Sequence, residues 1–125
     1  MHKAVLVIVG GGFGALLRYG TGLLAARLFG TGFAWGTLIV NLSGCFVIGV
    51  CFESAERKGF LSPSARLFLV TGFLGALTTF STYALETVTY AREGAAWPAV
   101  ANVLANTVGG GLLVLVGMWL AWRLT

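Results

Sequence analysis

A chain of 125 residues that is 58% hydrophobic and only 10% charged cannot cover a soluble surface, since soluble domains carry about 25% charged residues. The mean hydropathy of +0.92 points to the membrane class. The net charge of +4 is scattered along the chain, with no basic patch or interleaved aromatic platform, so nucleic acid is excluded as a partner and the bilayer takes its place.

The first apolar segment runs from about residue 4 to residue 29. Lys3 followed by AVLVIV imitates a signal peptide, but no small-residue cleavage site follows and the apolar character continues. KAVLVIVGGGFGALLRYG also imitates a dinucleotide fingerprint through Gly10, Gly12 and Ala15. That motif needs an acid about 20 residues later, and the first acid here is Glu53. Gly10 and Gly14 instead form G-x-x-x-G, a helix-packing pattern. Arg18 lies inside this span. An intramembrane arginine needs protein or water around it. Two readings stay open: a snorkelling side chain beside Tyr19, or an electropositive anchor for an anion or for carbonyls.

The second segment, about 35–52, contains GTLIVNLSGCF. Thr37 and Asn41 share a helix face at i, i+4. Ser43 is accounted for by bonding between helices, whereas Asn41 has two amide hydrogens to place. Cys45 and Cys51 are six apart in the same run, too poorly placed for a disulfide within one helix. They read as small hydrophobes. ESAERKGFLSPS (53–64) then forms a charged connector.

The third segment, about 65–90, carries GALTTFSTY at 75–83. Hydroxyls cluster there on Thr78, Thr79, Ser81, Thr82 and Tyr83, beside the rings of Phe80 and Tyr83. Gly72, Gly75 and the threonines weaken a helix, so a break is expected in mid-membrane. Broken backbone at that depth is tolerated only inside protein or beside a wet cavity. Its freed carbonyls suit a cation such as Na+, and aromatic ring edges carry the positive end of a quadrupole. Glu86 is the one carboxylate within a span.

REGAAW (92–97) leads to Pro98, expected to start the fourth segment, about 98–122. Asn102 and Asn106 stand four apart there. Hydroxyls, amides and one arginine donate hydrogen bonds, and a cation or proton path would show acids instead. Thr37, Asn41, Asn102 and Asn106 are therefore candidates to line an anion path. The even number of spans puts both termini on one side. Lys3, Arg57, Lys58, Arg66 and Arg123 on that side outweigh Arg27 and Arg92 on the other, modestly favouring cytoplasmic termini.

GGGFGALLRYG, GTLIVNLSG and GFLGALTTFSTY, in that order and spacing, resemble the Fluc (CrcB) family of fluoride channels over nearly the whole chain. The resemblance implies an all-α membrane protein in one domain, residues 1–125. Four transmembrane helices, the third broken, would assemble as an antiparallel, dual-topology homodimer in the cell's inner membrane. It implies fluoride export through two pores around a central structural sodium ion. By motif position, Gly75 and Thr78 would offer carbonyls to that ion. Asn41, Phe80 and Tyr83 would line the fluoride path, with Ser81 and Thr82 as the polar residues between the rings. Arg18 matches the family's first-helix arginine and Glu86 a recurrent acid. Position 83 is usually Phe in the family, and the family's fourth-helix Tyr is replaced by Asn102. A small multidrug-type transporter, also four-helical and dimeric, needs a glutamate in its first span, where this chain has only Arg18. A non-conducting scaffold would explain the glycines but not the hydroxyl cluster. An enzyme lacks a nucleophile–base pair or a metal cluster here.

Overall fold

Without water to drive apolar surfaces together, helices in a bilayer associate where backbones can approach closely. The glycines of this chain do that, as a computed structural model describing residues 1–125 shows. Four helical segments are long and apolar enough to cross a membrane. Helix α1 spans His2–Phe29 and α2 spans Trp35–Lys58. The third span, Pro63–Arg92, is two helices: α3 over residues 63–77 and α4 over Phe80–Arg92. The fourth, α5, spans Ala96–Leu124.

The helices run further than apolar content alone predicts. Residues 53–58, expected in a connector, extend α2, and Arg57 Nε donates to Glu53 Oε1 at 2.7 Å across one turn. Gly59 closes α2 in the left-handed conformation (φ 59°, ψ 28°) that glycine adopts without penalty. Ser62 caps α3, its Oγ accepting from the Ala65 amide at 3.1 Å ahead of Pro63 in the first turn. The connectors shrink to residues 59–62 and 93–95, and α5 begins at Ala96, not Pro98.

Spans one and three run parallel. A Cβ at Gly10 would collide with the Phe68 carbonyl oxygen, and one at Gly14 with that of Phe73. Gly72 meets the Val7 carbonyl in return. Spans two and four are likewise parallel, with Gly49 against the Val114 carbonyl and Gly117 against that of Phe46. Gly36 rests on Gly22, joining α2 to α1. Only 17 of 125 residues are buried, so most large apolar side chains face outward, as a lipid-embedded chain requires.

Two stretches have wide, π-helical turns: Leu67–Leu74 in α3 and Ala105–Gly109 in α5. Such turns accompany side chains that enter the backbone ladder. In α5 the intruder is Asn106, whose Nδ2 donates to the Asn102 carbonyl at 2.9 Å.

Candidate functional site

The third span is broken as expected, but not at its glycines. Gly75–Leu77 is still helical, and the extended residues are Thr78 (ψ 152°) and Thr79 (φ −148°, ψ 116°). Gly72 is used for close approach to α1 rather than for unwinding. The break is held from α2. The Thr79 amide donates to Asn41 Oδ1 at 2.8 Å, and Asn41 Nδ2 donates back to the Thr79 carbonyl at 3.1 Å. One side-chain amide thus pairs with both polar groups of an extended residue, which fixes which way the amide faces. Thr79 then starts α4 as its N-cap, its Oγ1 accepting from the Thr82 amide at 3.2 Å.

The two amides that would close a continuous helix onto Gly75 and Thr78 are those of Thr79 and Thr82. Both are engaged elsewhere, by Asn41 Oδ1 and Thr79 Oγ1. The Gly75 and Thr78 carbonyls therefore lack their usual i+4 donors.

A relay of amides extends from the clamp. Asn41 Nδ2 donates to Asn106 Oδ1 at 2.9 Å, and Asn106 Nδ2 donates to Asn102 Oδ1 at 3.0 Å. Asn102 Nδ2 donates to Thr87 Oγ1 at 2.9 Å and reaches the Tyr83 carbonyl at 3.5 Å. Asn102 was expected to line an anion path. It is 0% exposed and acts as a strut between α4 and α5. The cause is its position on α5 facing Thr87, which gives its amide a partner inside the protein. Thr87, not singled out from sequence, and Thr79, read there only as one of the clustered hydroxyls, complete the network. Thr79 had a legible signal, a threonine immediately before the apolar Phe80 at the head of a helical stretch.

A groove of about 450 Å³ opens beside the break. Gly75, Thr78, Thr79, Asn41 and Asn106 line it, together with Phe80, Tyr83 and Thr107. Phe80 is 77% exposed, and its ring meets that of Tyr83 edge to face at 5.5 Å and 72°. A second hollow holds Arg18, Thr37, Thr79 and Thr82. A third holds Thr37, Glu86 and Tyr90. Thr79 borders the first two and Thr37 the last two, so the three hollows adjoin. Thr37 does not join Asn41 in a common site. Its hydroxyl donates to Glu86 Oε1 at 2.6 Å, while Glu86 Oε2 is enclosed without a partner. Arg18 forms no ion pair, and Ser81 is exposed with its Oγ 3.3 Å from Thr79 Oγ1.

These features define a four-span membrane protein built around an interrupted helix, with polar groups gathered at the interruption. Residues 5–118 match the CrcB-like protein family, described as Camphor Resistance (CrcB). The chain is 43% identical over 121 residues to the "Fluoride-specific ion channel FluC" of Chelativorans sp. (strain BNC1), covering 97% of each. It is 45% identical over 117 residues to the protein so named from Salinibacter ruber, covering 94% of this chain and 87% of that one. The Rhizobium etli protein of that name is 51% identical over 96 residues, 77% of each. The chain belongs to the CrcB family, whose relatives here are named as ion channels and not as enzymes.

Proposed function

We propose that this protein is a fluoride-specific channel that carries fluoride out of the cell across its inner membrane. The observation that carries the reading is the clamped break at Thr78–Thr79. It places hydroxyls, ring edges and the N-terminal end of α4 beside a groove, with no carboxylate among the groove residues. The first turn of a helix presents unpaired N–H groups and a partial positive charge. An anion is thereby favoured at depth without a lysine that would hold it fast. A path must replace the water around a small, strongly hydrated ion and still release it.

The path follows the adjoining hollows. Glu86 and Thr37 stand at one end, Arg18 and Thr82 follow, and Phe80 and Tyr83 edge the groove beyond Thr79. Arg18 raises the local concentration of anions in its hollow.

The groove leaves Phe80 and Ile48 open, which suits a second copy of the chain in antiparallel orientation, one path on each side of the pair. The carbonyls of Gly75 and Thr78 fit a hard cation, because both lack their helical donors and both border that groove. A sodium ion bound there would neutralise carbonyl dipoles and tie the copies together. Asn41 and Thr79 present those carbonyls.

Liposomes loaded with fluoride and carrying the purified protein test the reading, with efflux followed by an ion-selective electrode and chloride as the control. Rapid fluoride release with chloride retained is expected. Retained fluoride, or equal release of both ions, refutes it.

A further inference from the structure

The asparagines, read from sequence as donors to an anion, have none to give. Both Asn41 Nδ2 hydrogens are taken, by the Thr79 carbonyl and by Asn106 Oδ1. Asn106 Nδ2 is occupied by Asn102, and Asn102 Nδ2 donates to Thr87 from a side chain that is fully buried. The groove's hydroxyls are mostly committed too. Thr78 donates to the Leu74 carbonyl at 2.9 Å, and Thr79 to Thr82 Oγ1 at 3.1 Å. Two remain, Tyr83 and Thr107, on facing helices in the groove wall.

Their oxygens are 3.5 Å apart. Hydroxyl–hydroxyl bonds span about 2.5–3.0 Å, so neither hydrogen is held by the other. The Tyr83 main chain is fixed, its carbonyl accepting from Thr87 Oγ1 at 2.9 Å. The Phe80 ring props the phenol from its side. Two free donors are thus held at a spacing wider than their own bond.

We infer that the Tyr83 and Thr107 hydroxyls form a two-pronged donor site for one small anion, which on the fluoride reading above is the permeating ion. An ion about 2.6 Å from an oxygen, the usual length of a charge-assisted O–H bond, can sit between the two without either side chain moving. A larger halide stands further from both oxygens and gains less from each, so the fork favours the smaller ion. The ring edge of Tyr83 is then secondary to its hydroxyl.

The test uses the full chain with Tyr83→Phe, which keeps the ring, and Thr107→Val, which keeps the shape. Binding is measured by fluoride-19 NMR titration in micelles, and transport by the liposome assay. Each variant should elute as the wild type does and bind fluoride about tenfold to a hundredfold more weakly, the worth of one hydrogen bond to a charged partner. Thr107→Ser should restore binding. Well-folded variants that both bind within about twofold of wild type overturn the fork. If they also transport normally, the fork falls and the channel reading stands. If binding depends on both hydroxyls but wild-type liposomes retain fluoride, the fork stands and the channel reading falls.

Discussion

Replacing Asn41 by alanine removes the clamp on the broken helix. Three hydrogen bonds are lost: those to the Thr79 carbonyl and to Asn106 Oδ1, and the one received from the Thr79 amide. Bonds between membrane helices average about 0.6 kcal/mol, which gives about 2 kcal/mol for three. Thr79 is only 8% exposed, so its stranded N–H and C=O have little access to water. Each buried group left unpaired costs about 1–3 kcal/mol, which raises the expected loss to about 4 kcal/mol. Asn41→Asp tests the geometry further. It keeps the acceptor for the Thr79 amide but sets carboxylate oxygen against the Thr79 carbonyl and Asn106 Oδ1, so it should be at least as damaging. Unfolding in mixed micelles, titrated with SDS and followed by the fluorescence of the four tryptophans, measures both. A loss below about 0.5 kcal/mol for Asn41→Ala, less than one average interhelical bond, would refute the clamp. Loss of fluoride efflux should accompany the loss of stability.

Gly10→Ala and Gly14→Ala should each destabilise by about 1–3 kcal/mol, the range for overpacking, because the added Cβ meets a main-chain carbonyl. Gly12→Ala, with nothing nearby, should not, and equal melting temperatures for all three would deny the parallel crossing of spans one and three. Thr79→Val removes the cap on α4 and should cost about 1 kcal/mol, with Thr79→Ser close to wild type in the same SDS titration. Thr37→Val leaves Glu86 without its donor and should cost about 1–2 kcal/mol. Thr37→Ser should recover that loss, and unchanged stability of the valine variant would mean that the pair contributes nothing.

Apolar length and glycine placement revealed the four spans, because a bilayer imposes both. Gly10 and Gly14 packed as their spacing implied. The break lay in the hydroxyl-rich stretch, but its position depended on a partner from another span. Gly72 and Gly75 are locally the weaker helix formers, yet the chain opens at Thr78–Thr79, where Asn41 can pair with extended backbone. Asparagine spacing marked the α5 face without showing whether it looked outward or inward. Asn102 and Asn106 differ by one turn, and only the packing of α4 makes the first a buried strut and the second a groove residue. Thr107 is an unremarkable threonine until Tyr83 stands opposite. The helical ends were missed for a simpler reason: charged residues 53–58 look like a loop on hydropathy, although their pairing continues a helix.

Gly10, Gly14, Gly49, Gly72 and Gly117, which hold spans one to three and two to four, touch carbonyl oxygens and not side chains. A carbonyl is the same whatever residue bears it. Phe68, Phe73, Val114 and Phe46 could therefore exchange for other apolar residues without disturbing the crossings, while the glycines opposite them could not. The scaffold is written in a few positions, which leaves the lipid-facing sequence free to adapt to membranes of different thickness and composition while the clamp at Thr79 keeps its place.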